Sequence, residues 1–416
     1  MTSRPGNLFT GSVLALLLAS ASSMAQDAAP RRMVILDRNL QRIPAGLDRL
    51  TSSTVQYTDA GGRSRSIERS RVLAIYSGRG HSVSLPTAVA AGEGGGGIPG
   101  VLRLTDGQVI PGFLVTTEEP GEAIAWRSRR IGQFSIPLER AWMMSFAETA
   151  HAITMPQRDT AILGNSDRIE GFVEGIGKHL LIEAAGQKTS IPIERVTSIA
   201  LANPPVPGSM PLVFLSDGSA LTASEFASSP PNAKGTPNAT ATAQWALASE
   251  SGVGVVDLEG IDAIVFDPRA IVPLGSIDIE KAAGVDGRRW TPTPHVSPSE
   301  TAPIGLSSIT ISGPAQVDWK LPAGTTKFGT SAQLPPDAQA WGNATVAVLA
   351  AGPTGMFKEV AKADLSAEKP AAEIVADLAD ARTLRLEVRG KSYADVQARV
   401  ILQQPVLLRT PEPAKK

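Results

Sequence analysis

One short pattern recurs four times along this chain, and an internal repeat limits the possible folds more than any single motif does. Asp106-Gly107-Gln108-Val109-Ile110-Pro111-Gly112-Phe113 aligns without gaps with Asn165-Ser166-Asp167-Arg168-Ile169-Glu170-Gly171-Phe172. Asp217-Gly218-Ser219-Ala220-Leu221-Thr222-Ala223-Ser224 is a weaker third version, and a degenerate first copy begins near Asp37. Short apolar runs precede three of them: Val101 to Leu104, Thr160 to Leu163 and Leu212 to Leu215. Asp-Gly between apolar runs signals a tight hairpin, because its central residues must accept positive φ. The copies also close alike. Ile136-Pro137-Leu138-Glu139-Arg140 and the strand after it match Ile191-Pro192-Ile193-Glu194-Arg195 and its successor, with weaker versions at 67–76 and 256–266. A further strand is expected inside each copy, at 54–58, 123–127, 179–183 and 244–248.

Alternation such as Leu180/Ile182 and Ile191/Ile193 gives each strand one apolar face. The expected architecture is all-β: tandem small antiparallel β-barrel-like repeats followed by a jelly-roll β-sandwich. A sheet of this size buries too little surface to stand alone. Neighbouring copies are therefore expected to pack together, or each to curl into a barrel resembling the SH3-like or Sm-like type. Sm-like barrels can bind RNA, but 39 basic against 40 acidic residues leave the chain with a formal net charge of −1. No nucleic-acid partner is expected from that balance. Residues 31–80 are locally rich in Arg, which fits either attraction to an anionic polymer or an ordinary solvated sheet face.

The repeats divide the chain. Residues 1–25 read as a signal peptide: Arg4, an apolar run from Leu8 to Ala21, then small residues ending at Ala25. That run is too short to span a bilayer, which takes about 20 apolar residues. No later stretch is apolar enough either, so export to the periplasm or the extracellular space is expected with no transmembrane segment. The β repeats are placed at 30–77, 100–147, 159–201 and 211–267. A Gly-rich linker covers 78–99, a loop of Pro, Asn, Thr and Ala is inserted at 228–242, and a linker runs over 268–298, with 277–287 expected to be helical. Beyond 299, eight short strands separated by Pro, Gly and Asp turns predict a jelly-roll β-sandwich over 299–409.

Three stretches of that last part carry a resemblance: Gln316-Val317-Asp318-Trp319-Lys320-Leu321-Pro322-Ala323-Gly324 running on to Phe328, Asn343 to Leu349 followed by Met356-Phe357-Lys358, and Leu384 to Val388 with Tyr393 to Val400. Together they resemble the NPCBM-type carbohydrate-binding domain, a galactose-binding-like jelly roll first associated with glycoside hydrolases. The resemblance implies a polysaccharide ligand. Of the His, Asp and Trp that the family places before its last strand, only Asp395 stands here, beside Tyr393. A sugar site needs an aromatic face for the pyranose and polar groups for its hydroxyls. Trp341, in a loop before a strand, with Tyr393 and Asp395 in the closing loop, are the candidate carbohydrate-binding residues, though each also fits a structural role. Trp319, Trp126, Trp142 and Trp245 lie in strands and are expected in the core.

No chemistry-bearing constellation accompanies them. The chain has no Cys, which excludes disulfides, thiolate metal sites and a Cys nucleophile. Its four His, at 81, 151, 179 and 295, show no metal-ligand spacing. No nucleophile elbow, phosphate-binding loop or dinucleotide fingerprint occurs. The expectation is a non-enzymatic exported protein without cofactor or metal, whose partner is either a polysaccharide or other proteins of the envelope. With 39 Gly and 32 Pro, much of the composition is turn punctuation for this β design.

Overall fold

The repeats fold as four units of five antiparallel strands. The computed structural model describes residues 32–77, 97–147, 156–206, 208–229, 240–246, 251–257, 260–285, 289–297, 307–390 and 398–410. The expected signal segment, His81, His151 and most of the Gly-rich linker and the inserted loop lie outside them. The first repeat comprises β1 (Arg32–Asp37), β2 (Arg42–Leu50), β3 (Thr54–Asp59), β4 (Ser64–Glu68) and β5 (Val72–Ser77). The second comprises β6 (Ile98–Leu104), β7 (Val109–Leu114), β8 (Ala123–Ser128), β9 (Gly132–Pro137) and β10 (Ala141–Ser145). The third is β11 (Asp159–Leu163), β12 (Arg168–Ile176), β13 (His179–Ala184), β14 (Gln187–Pro192) and β15 (Val196–Ala200). The fourth is β16 (Leu212–Leu215), β17 (Ala220–Ser229), β18 (Thr240–Ala246), β19 (Ser251–Asp257) and β20 (Ile261–Val265).

In every repeat the first four strands pair in succession and the fifth returns to pair with the first. A register shift bends the second strand in repeats one, three and four, so that its two halves face different neighbours. In repeats two, three and four the first hairpin turn is built the same way. The backbone N–H of Gln108, Asp167 and Ser219 donates to the side-chain oxygen of Asp106, Asn165 and Asp217 at 3.2, 3.1 and 3.0 Å. The residue between holds positive φ: Gly107 at 91°, Ser166 at 70°, Gly218 at 84°. In the first repeat that residue is Leu40, at 60°. The equivalent of Asp106 is therefore Asn39, two residues on from the Asp37 at which the sequence pattern begins.

Repeats pair through their fifth strands. β10 lies against β15, with Met144 opposite Ile199, and β20 lies against β5, with Ile264 opposite Ile75. Repeat two is thus joined to repeat three, and repeat one to repeat four. β5 and β20 are buried along their whole length, as expected of strands covered on both faces. A single contact of β7 with β17, Val109 opposite Ala220, links the two pairs. Beside it the buried Gln108 accepts the Thr222 N–H at 3.2 Å, and Arg130 pairs with Asp217. Ile35, Val72, Leu102, Ile136, Leu180, Val213 and Ile264 belong to one apolar core that runs through all four repeats.

The C-terminal part is a jelly-roll sandwich. Its strands are β24 (Ser308–Ser312), β25 (Ala315–Lys320), β26 (Thr325–Gln333), β27 (Asn343–Ala351), β28 (Phe357–Ser366), β29 (Ala371–Asp377), β30 (Thr383–Gly390) and β31 (Arg399–Arg409). One sheet runs β24-β31-β26-β29 and the other β25-β30-β27-β28, and from β24 to β31 the chain changes sheet at every connection except the β27–β28 hairpin, as in a jelly roll. The segment 268–298, expected as a linker, instead supplies edge strands to both sheets. β21 (Ile271–Pro273) pairs with β31, β22 (Ile279–Gly284) with β25, and β23 (His295–Val296) with β24. The stretch expected to be helical is thus largely β22. Ile279-Glu280-Lys281-Ala282-Ala283 carries no two-residue apolar period, and its strand conformation follows from backbone pairing with β25, with a register shift between Ile279 and Lys281.

A third apolar cluster joins the sandwich to the repeats. Leu40, Leu73, Tyr76, Leu212 and Ala263 pack with Ile271 and Val406. Leu40 is fully buried, and a Cβ on Gly329 of β26 would come within 2.9 Å of the Leu40 Cβ. Around this contact Arg42 pairs with Glu373 at 2.6 Å and donates to the Gln404 carbonyl at 3.0 Å, and Lys327 donates to Asn39 at 3.1 Å.

Candidate functional site

Two of the sandwich's large surfaces are already occupied. The outer face of β24-β31-β26-β29 receives Leu40 and Arg42 of the first repeat. On the other sheet, Asp318 takes a two-pronged hydrogen bond from Arg385 at 2.7 and 2.8 Å, and that guanidinium lies 3.7 Å from the centroid of the Phe357 ring. The Asp318 hydrogen bonds raise the Arg385 pKa above its ordinary value. Beside it Glu387 pairs with Arg389, and Thr345 donates to Asp364 at 2.7 Å. These groups satisfy one another, and the only aromatic ring among them is capped.

The loop end of the sandwich is different. Gln333 and Ala371 are register partners at this end, as are Ala344 and Gly390, and Ser312 and Arg399. The loops after β24, β26 and β28 therefore converge there, beside Gly390 and Arg399. Trp341 stands in the loop after β26 and is 63% exposed. Its position follows from a tight turn. Pro336–Ala338 form a short 3-10 segment whose Ala338 carbonyl accepts N–H groups from Trp341 at 3.3 Å and Gly342 at 2.6 Å. A side chain at Gly342 would collide with that same carbonyl, its Cβ only 2.6 Å away, so the turn requires glycine. Asp337 pairs with Arg399 at the start of β31. The Arg399 hydrogen bond holds the Asp337 carboxyl below its ordinary pKa, against a smaller opposing effect of desolvation.

Trp290, 70% exposed, belongs to the same end. Its neighbour Thr291 donates to the Ser312 carbonyl at 3.4 Å, next to Arg399. The sequence pattern singled out Trp341 but not Trp290, which sits in a Pro-rich stretch that reads as a connector. Tyr393 and Asp395, the other two candidates, lie outside the described residues, whose nearest neighbours are Gly390 and Ala398. Trp319 and Trp126 are fully buried, as expected. Trp142 is only partly buried, a correction to its expected place in the core, because β10 shifts register beside it in pairing with β6. The Trp245 side chain lies outside the described residues. Among the described residues no group of three or more His, Asp or Glu is placed to hold a metal, and no helix is long and apolar enough to cross a membrane.

No protein-family model matches the chain, and no curated protein matches it. Among solved structures it is similar to the CBM51-2 and INT domains of a Clostridium perfringens protein, at 8% identity and a TM-score of 0.26, covering 45% of this chain and 40% of that one. It is similar to a CBM51 from a Clostridium perfringens family 95 glycoside hydrolase in complex with methyl-galactose, at 14% identity and TM-score 0.24, covering 33% of this chain and 99% of the other. Tandem CBM51 modules of a family 98 glycoside hydrolase from Streptococcus pneumoniae match at 10% identity and TM-score 0.27, over 74% of this chain and 88% of that one. The chain thus spans less than half the length of the first of these structures. The site described above rests on this chain's own residues.

Proposed function

We propose that this protein is an exported, non-catalytic binding protein that recognises cell-surface or extracellular carbohydrate at the loop end of its jelly roll, with the repeats as scaffold. The observation that carries the reading is the pair of exposed indoles, Trp290 and Trp341, at an end of the sandwich that neither the repeats nor the Asp318–Arg385–Phe357 cluster covers. A flat aromatic covers the apolar face of a pyranose ring, and the loop polar groups around it can serve the hydroxyls. The NPCBM-type resemblance of 299–409 points the same way. Export rests on the Arg4, Leu8 to Ala21 and Ala25 pattern. In each repeat the fifth strand returns to the first, and in the first three a 3-10 turn precedes it, which favours the SH3-like reading of these units.

A glycan array probed with the full chain tests the proposal. Wild type should retain a defined set of glycans, and Trp341→Ala and Trp290→Ala should each weaken retention. Retention of nothing by wild type would overturn the proposal in favour of a structural envelope protein whose partners are other proteins. Retention unchanged in both variants would move the site elsewhere.

A further inference from the structure

Phe113 of repeat two and Phe172 of repeat three occupy the same place in the fold. Each follows a glycine that lets the second strand cross the third closely: a Cβ on Gly112 would stand 2.3 Å from the Arg127 carbonyl oxygen, and one on Gly171 2.2 Å from that of Glu183. Phe113 lies opposite Arg127 and Phe172 opposite Glu183. In repeat two the arginine covers the ring, its guanidinium carbon 5.4 Å from the Phe113 centroid. In repeat three the cation is replaced by a carboxylate, and Phe172 is left 65% exposed. An uncovered ring beside acidic groups is the receiving half of a cation–π pair.

The uncovered ring opens onto a groove of about 840 Å³ between repeats two and three, whose lining includes Pro120, Glu122, Leu138, Glu139, Phe172 and Leu181. Several polar groups there are already engaged. Asp159 accepts the N–H groups of Val173 and Ala202, both at 2.8 Å, Asn203 donates to the carbonyls of Leu138 and Ala141, and Lys188 pairs with Glu174 at 2.7 Å. Glu122 and Glu139 are exposed and have no side-chain partner among the described residues. The groove therefore offers an aromatic face, apolar flanks and two uncommitted carboxylates.

We propose that this groove docks a basic segment of a partner polypeptide, an arginine of which stacks on Phe172 where repeat two uses its own Arg127, with Glu122 and Glu139 beside the guanidinium. The pairing is charge-complementary, and the groove is large enough for a few side chains. It uses no residue of the carbohydrate site.

The test titrates the full chain by calorimetry with a short capped peptide alternating arginine and leucine, and with the same peptide carrying uncharged, isosteric citrulline. The arginine peptide should bind at least tenfold more tightly, and its affinity should fall as salt is raised. Phe172→Ala should weaken it about tenfold, a change equivalent to the upper range of a cation–π contact. Glu183→Arg should do the same by installing the cap found in repeat two. Both positions are at the surface, so far-UV circular dichroism should be unchanged. Equal binding of the two peptides, or arginine-peptide binding unchanged by both variants, overturns the proposal. Self-association of the chain that Phe172→Ala abolishes also overturns it, assigning the groove to a second copy.

Discussion

Leu40 and Gly107 hold equivalent places in two copies of one turn, and the difference between them shows what the first repeat gives up for its neighbour. A leucine at a φ of 60° is held in a conformation that costs about 1–2 kcal/mol for a residue with a Cβ. Repeats two and four avoid that penalty with glycine. The leucine side chain is fully buried against Gly329, so its burial in the joint between repeat one and the sandwich offsets the backbone strain. Leu40→Ala keeps the strained backbone and removes the contact. It should lower stability by about 2–4 kcal/mol, read from the urea midpoint. The turn itself was legible in the sequence, since Asp-Gly between two apolar runs signals a hairpin. That the first copy carries its turn at Asn39-Leu40 was not, because a left-handed leucine has no local signature.

At the scale of strands, the opening and closing strands of each repeat were legible because they alternate or are continuously apolar. The fourth strands were not. β14 buries only Ile191 among its six residues, so its sequence carries almost no apolar period. The pairing of repeats was equally invisible, since β5 and β20 read as apolar runs that could face any neighbour. The candidate site divides on the same principle: Trp341 stood out as an indole in a loop before a strand, whereas Trp290 was hidden by its prolines. One strand-level joint has a pH signature. Burial raises the Asp217 pKa, but the Ser219 N–H and Arg130 outweigh it and set the folded value below the ordinary one. A depressed carboxyl stabilises the fold above the ordinary carboxylate range, and that stabilisation is lost as pH falls through the lowered folded value. Arg130→Gln should therefore shift the urea midpoint at pH 7, and the gap from wild type should close as pH approaches about 2, below the ordinary Asp pKa.

At the scale of the molecule, the boundary between repeats and sandwich is not where composition placed it. β21, β22 and β23 precede residue 299 yet belong to the sandwich sheets, and β22 covers the edge of β25, the strand that carries the buried Trp319. A fragment spanning 268–410 should melt cooperatively. One spanning 299–410 should have a lower melting temperature and aggregate, because an unpaired edge strand is open to association. Thermal melts followed by circular dichroism and light scattering distinguish the two.

The order in which the repeats pair, one with four around two with three, has a consequence for how the chain reaches this structure. Repeats two and three are neighbours in sequence, and joining their fifth strands closes a short span. The fifth strand of repeat one meets its partner only after some 190 residues have passed, Ile75 against Ile264. Closure of so long a loop is slow. Until repeat four is made, β5 stands as a bare apolar edge of the kind that recruits other chains. The nesting thus builds a waiting period into biogenesis: the inner pair is assembled first, and the earliest-made repeat is the last of the four to find its mate.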